Sequence, residues 1–167
     1  MTVKKKGSPS KRKGNSWERD ICKFLEEKLG GNYVRVPSSG AFVGRSNAFR
    51  KETMSENQKR TFRGDIIPPD NLPKMVIEAK SYKEFPFHQL LSGKCALLDD
   101  WVEQTIDCIE NGDIWFVIFK INNKGSFVAT TNNGYAYTHY CQYKDLVITG
   151  LDDFFTNNKD RVIEICS

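Results

Sequence analysis

Glu78-Ala79-Lys80 follows Gly64-Asp65 at a distance of thirteen residues from Asp65 to Glu78. Both pieces lie in short apolar stretches, GDII and MVIEAK, that read as strands. A strand has a side-chain period of two, so Glu78 and Lys80 project from one face while Ile77 and Ala79 project from the other. The Pro/Asp/Asn segment between the two stretches suggests a hairpin, which can bring Asp65 beside Glu78. Two carboxylates that close repel each other and favour a divalent cation between them. A hard cation polarises a phosphoryl oxygen and lowers the pKa of its bound water, which is the chemistry of phosphodiester hydrolysis. Mg²⁺ keeps several waters and needs only one or two carboxylates, and Mn²⁺ is expected to substitute for it. Lys80 sets a positive charge beside the developing anionic transition state. The backbone carbonyl of Ala79, between the two functional side chains, offers one more oxygen ligand. The competing reading is a surface hairpin whose acidic and basic residues merely pair.

The elements around this set bear on the choice. Residues 16–29 are predicted to be a helix, because Trp17, Ile21, Phe24, Leu25 and Leu29 repeat at helical spacing. Asn15 is placed as its N-cap, and Gly30-Gly31 as its stop. At ~100° per residue, Glu18 lies about 55° from the centre of the apolar stripe, so a carboxylate near the buried face needs a partner. Two partners are open to it: the metal site, or the helix terminus in a capping box with Asn15. A short strand at 32–36 ends at Pro37, and Ser38-Ser39-Gly40 follows as a flexible stretch. Residues 41–63 lack apolar periodicity and carry Arg45, Arg50, Lys51, Lys59, Arg60 and Arg63. A segment of that length is expected to be a partly helical basic flap.

Downstream, residues 96–109 read as a helix. The run IWFVIFKI at 114–121 reads as a strand buried on both faces. Residues 127–131 form a further strand, followed by an edge hairpin around 135–140 and a short helix near 151–155. The order α-β-β-β-α-β describes a mixed α/β sandwich, with a three-strand meander and a helical crossover to the buried strand.

Charge is unevenly distributed. Residues 1–63 hold 16 Lys and Arg against 6 Asp and Glu, whereas residues 64–167 hold 9 against 15. A basic first half suits a polyanionic partner. Residues 1–14, with Lys11, Arg12 and Lys13, are expected to be a disordered basic arm, and 15–167 a single domain. Five scattered cysteines without a CxxC pair, and two histidines, do not form a zinc pattern. No apolar run reaches the ~18 residues of a membrane span, and none follows the basic N-terminus as in a secretory signal. A cytoplasmic protein without a membrane partner is expected.

With these residues in order, the chain resembles the PD-(D/E)xK nuclease superfamily, and more narrowly the archaeal-type Holliday junction resolvases and their phage relatives. The pieces that carry the likeness are KGNSWERDICKFLEEKL, RVPSSG, GDII and VIEAKS, with WVEQTIDCIENGDIWFVIFKI matching in pattern. The resemblance implies a restriction-endonuclease-like core and a homodimer that resolves four-way DNA junctions by paired nicks, in the host cytoplasm if phage-encoded. It implies metal carboxylates at Asp65 and Glu78, a catalytic glutamate at Glu18 and the catalytic lysine at Lys80. It also matches Arg19 to an arginine beside the helix glutamate, and Ser39 to a loop serine near the scissile phosphate. Ser39 reads equally as a loop hydroxyl without a role. Gln104 matches a helix glutamine, although its position alone reads as an exposed helix residue. Gly64 stands where the motif has proline, the 41–63 insert is long for a resolvase, and the tail after about 122 has no counterpart. Other readings are therefore kept: a restriction, nicking or repair nuclease of the same superfamily acting on duplex DNA, or a nucleic-acid-binding module without catalysis.

Overall fold

The computed structural model describes residues 9–37, 52–55, 58 and 61–167. Helix α1 (Pro9–Leu29) starts earlier than its apolar stripe suggests. Pro9 suits a first helical turn, where its missing N–H is not needed. Residues 9–14 of the expected disordered arm are therefore helical, and Asn15 lies inside the helix rather than capping it. Trp17, Ile21, Leu25 and Leu29 are buried as the stripe requires, and Gly30 ends the helix at φ +77°, donating to Glu26 O at 3.0 Å.

Two very short strands follow, β1 (Val34–Arg35) and β2 (Ile66–Ile67), and then β3 (Met75–Tyr82). They form the expected antiparallel meander, with Arg35 opposite Ile66 and Ile66 opposite Ile77. A short helix α2 (Phe87–Leu91) precedes α3 (Ala96–Ile106), and this crossover returns the chain to β4 (Ile114–Ile121), parallel to β3. β4 is the central strand. Phe116 and Ile118 enter the core under α1, while Trp115, Val117, Phe119 and Ile121 enter the core under α2 and α3. Both faces are covered, so the apolar run shows no alternation.

The C-terminal part departs from expectation. After β5 (Gly125–Thr131), the hairpin is made of β6 (Tyr140–Tyr143) and β7 (Leu146–Gly150), not residues 135–140. The full order across the sheet is β1-β2-β3-β4-β5-β7-β6. Tyr135 instead packs edge-on against Phe154, with ring centroids 4.8 Å apart. The last helix, α4 (Leu151–Cys166), is far longer than the few residues expected. Asn158 departs from helical geometry (φ −120°, ψ 15°), and its side chain explains how the helix continues past that point. Its amide accepts from Ala136 N (2.7 Å) and donates to Ala136 O (2.8 Å) and Phe154 O (2.9 Å). The loop before β6 is thereby tied to α4, which seals the same core face as α1.

Candidate active site

The site forms where β2 stops and β3 runs on. Asp65 enters β2 with its N–H donating to Ile77 O (2.8 Å) and its carbonyl accepting from Val36 N (2.9 Å). It is thus fixed to both neighbouring strands, and its carboxylate Oδ2 accepts the Ala79 N–H at 2.8 Å. In a strand the N–H and C=O of one residue point the same way. The Ala79 carbonyl is therefore directed to the Asp65 side of β3. The position before Asp65 explains the glycine: Gly64 has φ +71°, and a Cβ there would lie 2.4 Å from Ile77 O. Proline cannot adopt that φ.

Glu78 and Lys80 project together from β3, as alternation requires. Lys80 Nζ donates to Glu78 Oε1 at 2.7 Å and to Gln104 Oε1 at 2.8 Å, with side-chain exposures of 15% for Lys80 and 13% for Glu78. Gln104 is not an exposed helix residue. It is half-buried on α3, and its own amide donates to Asp100 Oδ2 at 2.7 Å. The crossover helix therefore orients the lysine.

Glu18 arrives from α1. Its carboxylate pairs with Arg35 Nε, and Arg35 Nη2 donates to Asn15 Oδ1 at 2.8 Å. The spacing read as a capping box instead puts Asn15 and Glu18 one turn apart on one helix face, both held by a strand arginine. Arg35 opens the RVPSSG piece, yet that likeness assigns it no role at the site. Its signal in the sequence is a lone cation in the apolar stretch YVRV.

The electrostatics join the three acids. Burial raises the Glu18 pKa, and Asp65 raises it further against the opposing Arg35. Glu78 is pushed up to about 7, first by burial, then by the Asp65 charge, with Lys80 opposing and Glu18 adding a smaller push. Among the described residues, no three His, Cys, Asp or Glu side chains stand ready to hold a metal ion. Protein cations hold two of the carboxylates instead, Lys80 on Glu78 and Arg35 on Glu18. The donor chemistry still fits a hard divalent cation: anionic oxygens that repel one another, beside a backbone carbonyl.

Burial of Glu78 also ties stability to pH. The folded pKa of Glu78 lies above its ordinary value of 4.5, so the associated stabilisation is complete below about 4.5 and is lost as pH rises through about 7. The metal-free protein is expected to melt at lower temperature at about pH 8 than at about pH 5, and Glu78→Gln should remove that part of the profile. Calorimetry across this range checks it; identical profiles for the two proteins would rule out the raised carboxylate.

The family comparison decides the class. A family model described as phage putative PDDEXK endonuclease matches residues 9–164. The chain belongs to this family. No curated protein and no solved structure gives a match. The PDDEXK assignment agrees with the mixed seven-stranded sheet flanked by helices, a restriction-endonuclease-like core.

The other site candidates fall in different places. In this PDDEXK chain Arg19 is exposed on α1, and its charge acts on Glu18. Arg12 and Lys13 are exposed on the first turns of α1. Arg63, expected on the DNA-binding flap, is part-buried and paired within the protein, bonded to Asp113 (2.6 Å) and near Glu110 (3.6 Å), with 12% of its side chain exposed. Ser39, Arg45, Arg50, Lys51, Lys59 and Arg60, and the side chain of Lys11, lie outside the described residues. The described cysteines are all unpaired by disulfides. Among the described residues no helix is long and apolar enough to cross a membrane.

Proposed function

We propose that the chain is a metal-dependent DNA endonuclease that selects branched DNA, resolving four-way junctions by paired nicks as a homodimer. The observation that carries the nuclease reading is the meeting of Glu18, Asp65 and Glu78 from three elements around a lysine oriented by Gln104. Asp65, Glu78 and the Ala79 carbonyl are the proposed ligands of Mg²⁺ or Mn²⁺, with Glu18 at the margin. A divalent cation bound there would supply an acidified water and neutralise charge on the phosphate. Lys80 holds its ammonium beside the reacting phosphate, where it stabilises the anionic transition state and orients the attacking water. Gln104 keeps that ammonium in place, and Arg35 keeps Glu18 turned towards the site. The basic residues on α1 bind the DNA backbone.

Junction selectivity rests on the likeness of residues 13–121 to the resolvases, and the dimer follows from the need for two symmetric nicks. Cleavage of a labelled immobile junction and a matched linear duplex, with Mg²⁺ and with EDTA, tests the proposal. Paired, Mg²⁺-dependent nicks in the junction alone are expected. Equal cutting of both substrates would keep the nuclease and discard the selectivity. Binding without cutting of either would favour a non-catalytic DNA-binding fold.

A further inference from the structure

The charge distribution along the chain suits a polyanionic partner on its basic first half. The fold adds cations from the acidic second half to the same end of the molecule. The first turns of α1 lie on the turn between β4 and β5, where Lys13 Nζ donates to Asn122 Oδ1 at 2.6 Å. One turn further on, Trp17 Nε1 meets Ile118 O at 3.5 Å, and Lys120 Nζ lies 5.4 Å over the Trp17 ring. Lys120 and Lys124 are both exposed. Lys83 is exposed just beyond β3, whose last residue, Tyr82, accepts at its carbonyl from Asn122 N at 3.1 Å. Arg12, Lys13, Lys83, Lys120 and Lys124 thus gather across three segments, with Glu84 the acid in the neighbouring sequence.

Their position relative to the site is set by helix and strand geometry. Lys13 precedes Glu18 by five residues, about 7.5 Å at ~1.5 Å rise per residue. At ~3.4 Å per nucleotide on one strand, that is roughly two nucleotides. In the sheet, Lys120 pairs with Ser81, the residue after Lys80. By strand alternation Lys120 projects from the α1 face, over Trp17, whereas Lys80 projects from the opposite face towards Gln104. The cationic surface therefore borders the site through α1, beside Glu18, and leads away over the end of the sheet.

We infer that the β4–β5 turn, with Lys120 and Lys124, is a second phosphate-binding surface that carries the DNA backbone away from the cleavage site alongside α1. It takes its substrate class from the nuclease reading. The Lys120 ammonium, held over an indole ring, has a fixed position from which to meet a phosphate. Lys124, beside Asn123 in its left-handed conformation (φ 57°), sits on a tight turn rather than a loose loop.

The test is anisotropy titration of fluorescent duplex and junction DNA in EDTA at several salt concentrations. It compares the wild-type chain with Lys120→Gln/Lys124→Gln and with a charge-matched control, Lys94→Gln/Lys159→Gln. The first variant should bind on the order of tenfold more weakly, with its log–log salt dependence flattened by about two, while the control matches wild type. An unchanged slope, or the same loss in the control, overturns the inference. Melting temperatures check that both variants fold. Cleavage in Mg²⁺ is scored separately. A wild-type chain that binds with the full salt slope but never cuts refutes the nuclease reading alone; one that cuts, with a variant indistinguishable from it, refutes the phosphate surface alone.

Discussion

Asp65→Asn and Glu78→Gln are each expected to reduce DNA cleavage by at least ~10³-fold while leaving DNA affinity within about twofold of wild type. A loss of that size corresponds to about 4 kcal/mol of transition-state stabilisation, and removing the charge of a metal ligand is an effect of that order. Both changes preserve shape. An asparagine at position 65 would keep an oxygen that accepts the Ala79 N–H, and both backbone bonds of that position are independent of its side chain. A glutamine at position 78 would leave Lys80 bonded to Gln104. Neither position belongs to the exposed cationic surface, so binding should survive. Cleavage time courses and EDTA titrations on the same preparations separate the two effects. Cutting within about tenfold of wild type by either variant would place the catalytic acids elsewhere.

The largest effect on stability is expected at Gly64. Gly64→Ala should destabilise the protein by about 2–4 kcal/mol, lowering Tm by on the order of 10 °C in a chain of this size. Two penalties add. An L-residue at φ +71° is strained, and the new methyl carbon would lie 2.4 Å from Ile77 O. That oxygen cannot retreat freely, because it accepts the Asp65 N–H at 2.8 Å within the β2–β3 ladder. Relief would come only by moving Asp65, so the folded fraction of the variant should also lose activity. Gly14→Ala is the control. Its Cβ meets nothing within 4 Å in the interior of α1, and better helix propensity should stabilise it by up to ~1 kcal/mol. Equal melting of the two variants would show that the Gly64 contact does not constrain the strand.

Much of the core was legible without coordinates, because its signals are local. The alternation of MVIEAK set Glu78 and Lys80 on one face, and the unbroken run IWFVIFKI marked a strand covered on both sides. The helical stripe from Trp17 to Leu29 put Glu18 at its margin. What lay beyond reach depended on partners distant in the chain. Residues 135–140 carry β-like aromatics, yet Tyr135 is claimed by Phe154, and the hairpin forms later. The terminal helix outruns its apolar signal because Asn158 supplies the hydrogen bonds that hold the break.

By itself the sequence determined which residue types stand on which faces of their own strands and helices, since those periods of 2 and 3.6 are properties of the local backbone. Only the tertiary structure decided which faces meet. It turned Asn15 and Glu18 from a cap into a grip on Arg35, and bound Gln104 to Lys80 across the crossover. It set Arg63 in an ion pair with Asp113, and brought Lys120 of the acidic half over Trp17 of α1. A charged side chain takes its role from the counter-charge that folding sets within hydrogen-bond reach, and that distance is a product of packing rather than of spacing along the chain.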